Sequence, residues 1–111
     1  MSVVLSLTLA LQVVTALPSS GLPGHATWYG TGPGSGTAAA GPALRAALGP
    51  HWRAQRVRVC RVATPVRCVV VRLRDWCSCR VPGRLVDLAV ADFSRLRALR
   101  MGTVRIRVYR T

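Results

Sequence analysis

Apolar and polar residues alternate along much of the second half of the chain. In residues 56–60 and again in residues 104–108, apolar side chains alternate with arginine. Alternation with a period of two is typical of β-strands that bury one face and expose the other to water. Residues 68–74 contain three consecutive valines and predict a further strand. We therefore predict a mainly β domain whose arginines lie on the outer faces of its strands.

A helical period replaces this alternation in residues 89–100. One face of the predicted helix carries Val90, Phe93 and Leu96. Asp92 lies in the same helix, and we expect it to be a solvated partner of Arg95 or another neighbour. Residues 42–48 are expected to form one helical turn or to remain irregular.

The first 16 residues are apolar over a length that suits the hydrophobic segment of a signal peptide better than a membrane span of roughly 20 residues. The positive charges that usually precede such a segment are missing. An upstream start, or an ordinary buried strand or helix, is therefore the alternative. Residues 17–24 are rich in proline, serine and glycine and are predicted to be a linker. The folded domain is accordingly predicted at residues 25–111, in a protein that is secreted or held in the cell envelope without a stable membrane span.

Charge is the most extreme feature of the composition. The chain has 16 basic residues, all of them arginine, and three acids, for a net charge of +13. In a folded domain such an excess implies an anionic partner or surface. Nucleic acid, anionic lipid and bacterial cell-wall polymers all qualify. Since half of the 111 residues are hydrophobic, the composition excludes a disordered basic tail and fits one compact domain.

Four cysteines in a chain expected to be exported predict two disulfides, for which three pairings are possible. Cys60 and Cys68 belong to two predicted strands that a short loop joins, so they can face each other across a hairpin. Cys77 and Cys79 would then pair locally. A zinc site is the alternative, but one Cys-x-Cys pair and two histidines fit standard zinc spacings poorly. We therefore expect neither a metal nor another cofactor.

Four short motifs in a fixed order are similar to those of a known family. They are His-Ala-Thr-Trp-Tyr-Gly at 25–30, Gly-Thr-Ala-Ala-Ala at 36–40, the strand at 69–75, and Gly-Arg-Leu-Val-Asp-Leu at 83–88. Together they resemble the double-psi β-barrel of rare lipoprotein A-like proteins and expansins. The resemblance implies a six-stranded double-psi β-barrel with one or two short helices. It also implies a shallow groove that holds a cell-wall polysaccharide.

The resemblance further implies which residues meet in that groove. In bacterial expansin-like proteins a threonine and two aspartates lie there, and they match Thr27, Asp75 and Asp87 of this chain. Asp87 resembles the essential acid. The rare lipoprotein A-like enzymes, which resemble lytic transglycosylases, also use a histidine after the Thr-Ala-Ala motif. Near that point this chain has Gly41.

Several aromatic residues are candidates for stacking on sugar rings, because pyranose rings present C–H faces to aromatic rings. The candidates are Trp28, Tyr29 and Trp76, and core packing is the alternative for each tryptophan. The two acids also have structural alternatives. Asp87 could cap the helix that follows it, and Asp75 could anchor the turn after a strand.

The sequence thus predicts a secreted, monomeric module that binds or loosens peptidoglycan or another anionic cell-wall polysaccharide without hydrolysing it. The first alternative is a lytic transglycosylase, in which a sugar hydroxyl attacks internally and one carboxyl acts as acid and then as base. Arginines flank both acids in sequence; if they also do so in space, they favour a permanent anion and hence binding. The second alternative is a basic nucleic-acid-binding protein, which the export signal and disulfides disfavour.

Overall fold

The computed structural model describes residues 17–30, 34–77, 79 and 83–111. Within these residues six strands close into one barrel, which confirms the mainly β prediction. The strands are β1 (Leu22–Tyr29), β2 (Thr37–Ala40), β3 (Arg56–Arg61), β4 (Cys68–Trp76), β5 (Arg84–Ala89) and β6 (Val104–Arg110). The helices are α1 (Pro42–Leu48), α2 (Val90–Leu96) and a 3₁₀ turn (Leu99–Met101). The predicted signal peptide, residues 1–16, lies outside the described residues.

The strand order around the barrel is β1-β5-β2-β4-β3-β6. Two neighbouring pairs, β1 with β5 and β2 with β4, are parallel, and the other pairs are antiparallel. The pairing is symmetric between the two halves of the chain. If β1, β2 and β3 are exchanged with β4, β5 and β6 respectively, each strand pair becomes a pair that also exists in the barrel and has the same direction. The barrel therefore has the internal two-fold topology of the double-psi fold that the sequence predicts.

The interior of the barrel follows from the alternation in the strands. Side chains that point inward from β3, β4 and β6 have little or no solvent exposure; those with none include Val57, Val59, Val71, Ile106 and Val108. The arginines between them point outward, as predicted. Phe93 and Leu96 of α2 are also fully buried against this core. Burying each such side chain stabilises the fold by about 1.5–3 kcal/mol.

The barrel begins earlier than the sequence predicts. β1 starts at Leu22, and residues 22–24 pair with residues 106–108 of β6, inside the segment predicted to be a linker. Leu17 is 8% exposed and belongs to the core. The glycine content misled the prediction, because Gly24 lies inside β1 at a point where the backbone of Gly83 comes too close to leave room for a side chain. A Cβ atom there would lie 2.5 Å from the carbonyl oxygen of Gly83.

Both disulfides join the pairs that the sequence predicts. Cys60 and Cys68 face each other across β3 and β4 with their Cα atoms 4.0 Å apart, and Cys77 is bonded to Cys79. No cysteine is left to serve as a thiolate ligand. Two disulfides in a small domain are typical of oxidising compartments and are consistent with secretion.

Two further features are absent from the described ranges. None of their helices is long and apolar enough to cross a bilayer. In the same ranges, no three His, Cys, Asp or Glu side chains come together as a set of metal ligands.

Asp92 is not the solvated partner of Arg95 that the helical pattern suggested. Its side chain is 3% exposed, and Oδ2 accepts a hydrogen bond from the Gly36 backbone N–H at 2.7 Å. In so short a helix, Asp92 shares the inward side with Phe93 and Leu96. The carboxylate therefore ties α2 to the turn that precedes β2.

The two disulfides should differ in their contribution to stability. The Cys60–Cys68 bond closes a loop of sequence separation 8, whereas Cys77–Cys79 closes one of separation 2. By the loop-entropy relation, replacing Cys60 and Cys68 by serine should cost about 2.6 kcal/mol, and replacing Cys77 and Cys79 about 1.6 kcal/mol. Urea unfolding of the two double variants measures both values. An unchanged free energy of unfolding in the Cys60/Cys68 variant would refute the first.

Removing the buried carboxylate should destabilise the domain. We expect Asp92→Ala to lower the free energy of unfolding by about 1–3 kcal/mol, because the Gly36 N–H then loses its acceptor. Arg95→Ala is the matched control on the exposed side of the same helix and should change little. If both variants lost the same free energy of unfolding in urea titrations, an ion pair between Asp92 and Arg95 would be favoured instead.

Candidate functional site

One row of outward-facing residues crosses four neighbouring strands. Thr27 of β1 pairs with Asp87 of β5, Asp87 pairs with Ala39 of β2, and Ala39 pairs with Asp75 of β4. Residues opposite each other on paired strands point to the same face of a sheet. The threonine and both aspartates that the resemblance assigned to a groove therefore lie on one face. With strands about 4.8 Å apart, the Cα atoms of Asp87 and Asp75 are separated by about 10 Å.

Asp87 forms a ring of polar contacts with Thr27 and Arg84. The Arg84 Nε donates to Thr27 Oγ1 at 2.8 Å, and the Thr27 hydroxyl donates to Asp87 Oδ1 at 2.7 Å. The Arg84 Nη2 atom lies 3.4 Å from the same carboxylate oxygen. A guanidinium can only donate, so the threonine proton must point to the carboxylate and the direction of the hydrogen bonds is fixed. The Asp87 side chain is 13% exposed, so the ring is partly shielded from water.

A β-bulge brings Arg84 into this ring. Residues three apart on a regular strand point to opposite faces. Here His25 pairs with Arg84 while the next residue of β1, Ala26, pairs with Val86, so β5 holds one extra residue, Leu85. Such an extra residue re-aims the side chains on one side of it. The bulge thus returns the guanidinium to the face that carries Asp87.

A second bulge aims Asp75. Ala38 pairs with Leu73, whereas Ala39 pairs with Asp75, so Arg74 is the extra residue of β4. Without it, Asp75 would lie one position further along, opposite the buried Ala40. The two bulges lie in the two parallel pairs that the internal symmetry of the barrel relates. Sequence periodicity alone could predict neither of them.

Trp76 stands beside Asp75 at the end of β4 and is 56% exposed. The Arg45 guanidinium lies 5.6 Å from the centre of its ring and 5.9 Å from the ring of Trp52. Nη1 of the same arginine donates to the carbonyl oxygens of Ala40 and Cys77, at 2.6 and 3.1 Å. Arg45 is therefore fixed at four points. It holds Trp76 at the end of β4.

The other two aromatic candidates lie on opposite sides of β1. Tyr29 points outward, as Thr27 does, and is 41% exposed. Trp28 packs against the core, and its indole N–H donates to the carbonyl oxygen of Leu99 at 3.0 Å. Of the three residues predicted to stack on sugars, Trp28 therefore takes the alternative role of core packing.

The sequence offered a structural role for each of the two aspartates, helix capping for Asp87 and turn anchoring for Asp75, and the structure agrees only with the second. Ala89 is the N-cap residue of α2, and no side chain caps that helix, so the hypothesis that Asp87 caps it is wrong. Asp75 Oδ1 accepts a hydrogen bond from the Trp76 N–H at 3.1 Å, a local contact of the turn-anchoring kind. Asp75 remains exposed beside this contact.

Gly41, near the position of the histidine in the transglycosylases, cannot hold a side chain unless its surroundings move. The Gly41 N–H donates to the Leu85 carbonyl oxygen at 2.8 Å, which presses this glycine against the bulge of β5. A Cβ atom at position 41 would lie 2.6 Å from the Arg84 carbonyl oxygen. A histidine there would therefore require β5 to move. His25 and His51 are both exposed, and His25 pairs with Arg84 across β1 and β5.

Comparison with known proteins adds the fold and little else. No family model matches the sequence, and no curated protein matches it. Among solved structures, the chain is similar to Streptomyces papain inhibitor, with 21% identity and a TM-score of 0.55. The match covers 85% of this chain and 99% of that one. At this identity the likeness shows the barrel fold alone.

The tight packing at position 41 predicts a large effect of a single methyl group. We expect Gly41→Ala to lower the free energy of unfolding by about 1–3 kcal/mol, since the new Cβ collides with the backbone of β5. Gly34→Ala is the matched control, because a Cβ atom there meets no other atom within 4 Å. Urea unfolding of both variants measures the difference, and equal stabilities would show that β5 yields without cost.

Proposed function

We propose that this protein is a secreted, expansin-like module that binds a cell-wall polysaccharide such as peptidoglycan without hydrolysing it. The observation that carries the proposal is the ring of Arg84, Thr27 and Asp87, which stands in one row with Asp75 on the outside of the barrel. The resemblance to rare lipoprotein A-like proteins and expansins, carried by the same residues, supports this choice of ligand.

The chemistry of the ring suits a sugar. Within the described residues, the second carboxylate oxygen of Asp87, Oδ2, accepts no hydrogen bond from the protein. It is therefore open to a sugar hydroxyl as donor. Arg84 is 29% exposed and offers N–H groups to sugar oxygens as acceptors. Fixed donors and acceptors side by side recognise a hydroxyl pair at little entropic cost, because the ring is already ordered.

One exposed aromatic ring lies on the face of the row. Tyr29 is two residues beyond Thr27 on β1 and points outward as Thr27 does. Trp76 directly follows Asp75 on β4 and pairs with the inward-facing Ala40, so it stands at the end of the strand and not on this face. The Tyr29 ring could pack against the C–H face of a sugar.

Binding is favoured over cleavage for two reasons. One carboxylate oxygen of Asp87 is already engaged by the Thr27 hydroxyl and the Arg84 guanidinium. Finally, Gly41 stands where the transglycosylases have histidine. A lytic transglycosylase of the rare lipoprotein A type remains the alternative activity.

A protein partner is the second candidate. The solved structure that the barrel resembles is named a papain inhibitor, and this chain covers nearly all of it. Inhibition of papain by the oxidised protein tests this candidate directly. Nanomolar inhibition together with no binding to wall polysaccharide would replace the proposal.

Sedimentation with purified peptidoglycan tests the role of the ring. We expect Thr27→Val to weaken binding about tenfold, because the valine can neither donate to Asp87 nor accept from Arg84. Thr27→Ser keeps both contacts and should bind nearly as the natural protein does. Thermal melts check that the variants are folded. If the valine variant bound as tightly as the serine variant, the ring would have no part in binding.

Mass spectrometry of the soluble products decides between binding and cleavage. We expect no glycan fragments from the natural protein or from Asp87→Asn after incubation with peptidoglycan or with stripped glycan strands. Anhydro-sugar fragments that disappear in Asp87→Asn would instead establish a lytic transglycosylase that works without the usual histidine.

A further inference from the structure

The outer face of β3 and β6 carries arginine where the row described above carries acids. These two strands are neighbours in the barrel, between β4 on one side and β1 on the other. Arg58 of β3 and Arg105 and Arg107 of β6 alternate with fully or largely buried residues and so point outward. The barrel therefore presents two chemically different sides.

No acidic residue balances this face. Asp75, Asp87 and Asp92 are the only acids of the entire chain, and none of them belongs to β3 or β6. Three adjoining hollows of about 450, 320 and 400 Å³ cover the face and share Val62 as a common wall. Their lining includes Arg58, Arg61, Arg97, Arg105 and Arg107, and no acid.

The arginines of this face differ in how free their guanidinium groups are. Arg61 is engaged by the carbonyl oxygens of Pro65 and Leu96. Arg107 donates to the backbone near the start of β1, at 3.2–3.3 Å. Within the described part of the chain, Arg105 makes no hydrogen bond through its side chain, and Arg58 only lies over a tyrosine ring at 5.1 Å. Arg58 and Arg105 are therefore free to bind an anion.

The spacing of these groups suits a linear polyanion. Arg58 pairs with Tyr109, so it is the diagonal neighbour of Arg107, at about 7–8 Å between Cα atoms. Arg107 and Arg105 are two residues apart on one strand, at about 7 Å. The three arginines thus follow one path across two strands. The free guanidinium groups of Arg58 and Arg105 can each bind two oxygens of a phosphate in bidentate fashion.

We propose that this face binds a linear phosphodiester polymer of the cell wall, at a site separate from the polysaccharide row. The proposal rests on the proposed function for its choice of a wall polymer. Charge complementarity supports a phosphodiester chain, and exposed Val62, Val66 and Val70, each 46–63% exposed, offer contacts to its aliphatic carbons. Single-stranded nucleic acid suits the face less well, because such ligands stack their bases on open aromatic rings. Of the two aromatic residues that line the hollows, Tyr109 is covered by Arg58, which leaves His25 alone.

Binding to poly(glycerol phosphate), measured between 50 and 300 mM salt, tests the site. The decisive variant is Arg58→Gln/Arg105→Gln, and the matched control is Arg95→Gln/Arg100→Gln, which removes the same charge from exposed positions outside the three hollows. We expect the first variant to bind on the order of tenfold more weakly at 150 mM salt. Its plot of log affinity against log salt should be shallower by about 1.4, since each lost phosphate contact removes about 0.7. The control should bind nearly as the natural protein does.

Further variants and ligands distinguish a failure of this proposal from a failure of the proposed function. Arg58→Lys/Arg105→Lys keeps the net charge and should recover only part of the affinity, because lysine cannot bind a phosphate in bidentate fashion. Thr27→Val should leave poly(glycerol phosphate) binding unchanged while it weakens peptidoglycan binding. Equal losses in both glutamine variants, or no saturable binding, would overturn the site. Tighter binding of oligothymidine than of poly(glycerol phosphate), with the same arginine dependence, would overturn the choice of polymer.

Discussion

The parallel pairing of β1 with β5, with one extra residue in β5, is the constraint on which the candidate site depends. It places Thr27 directly opposite Asp87, and the bulge at Leu85 turns Arg84 to the same face. A register shift of one residue would move Asp87 to the inside of the barrel, where a carboxylate is costly to bury. Closure of the barrel opposes such a shift, because β5 is also held by β2 on its other edge. The fold therefore fixes the ring before any ligand arrives.

The distribution of charge follows the same architecture. The row of acids crosses β1, β5, β2 and β4, whereas Arg58 and Arg105 lie on β3 and β6. With a net charge of +13, the domain repels itself unless anions screen it, so an arginine face without acids is costly to keep unless it has a partner. A module with one face for neutral or mixed sugars and another for a polyanion could attach to a composite wall by two contacts. Two weak contacts on one rigid body strengthen each other through effective concentration.

Much of the barrel could be predicted from the sequence. The alternation around Val57 and Ile106 correctly predicts which side chains are buried. The positions of Cys60 and Cys68 on either side of a short loop correctly predict that these two cysteines face each other. The prediction failed where packing overrides composition. Gly24 sits in a strand because two backbones approach there, although glycine and proline usually indicate a linker.

The site was predictable only in part, for a geometric reason. Motif resemblance named Thr27, Asp75 and Asp87, and the structure does place them in one row. The role of Arg84 could not be foreseen, since residues three apart on a strand normally face opposite ways and only the bulge reverses this. Trp28 was ambiguous for a similar reason. Nothing in a motif states which of two consecutive aromatic residues faces inward.

The proposed function requires Arg84, Thr27 and Asp87 to act as one unit in holding a polysaccharide. A double-mutant cycle on peptidoglycan affinity, built from Thr27→Val and Arg84→Gln with the combined variant, tests it most directly. Because either change breaks the same chain of hydrogen bonds, the combined variant should bind peptidoglycan only slightly less tightly than the single variant with the lower affinity. That result corresponds to a coupling free energy on the order of 1 kcal/mol. Losses that simply add, within about 0.5 kcal/mol, would show that the two residues act independently and would contradict the account.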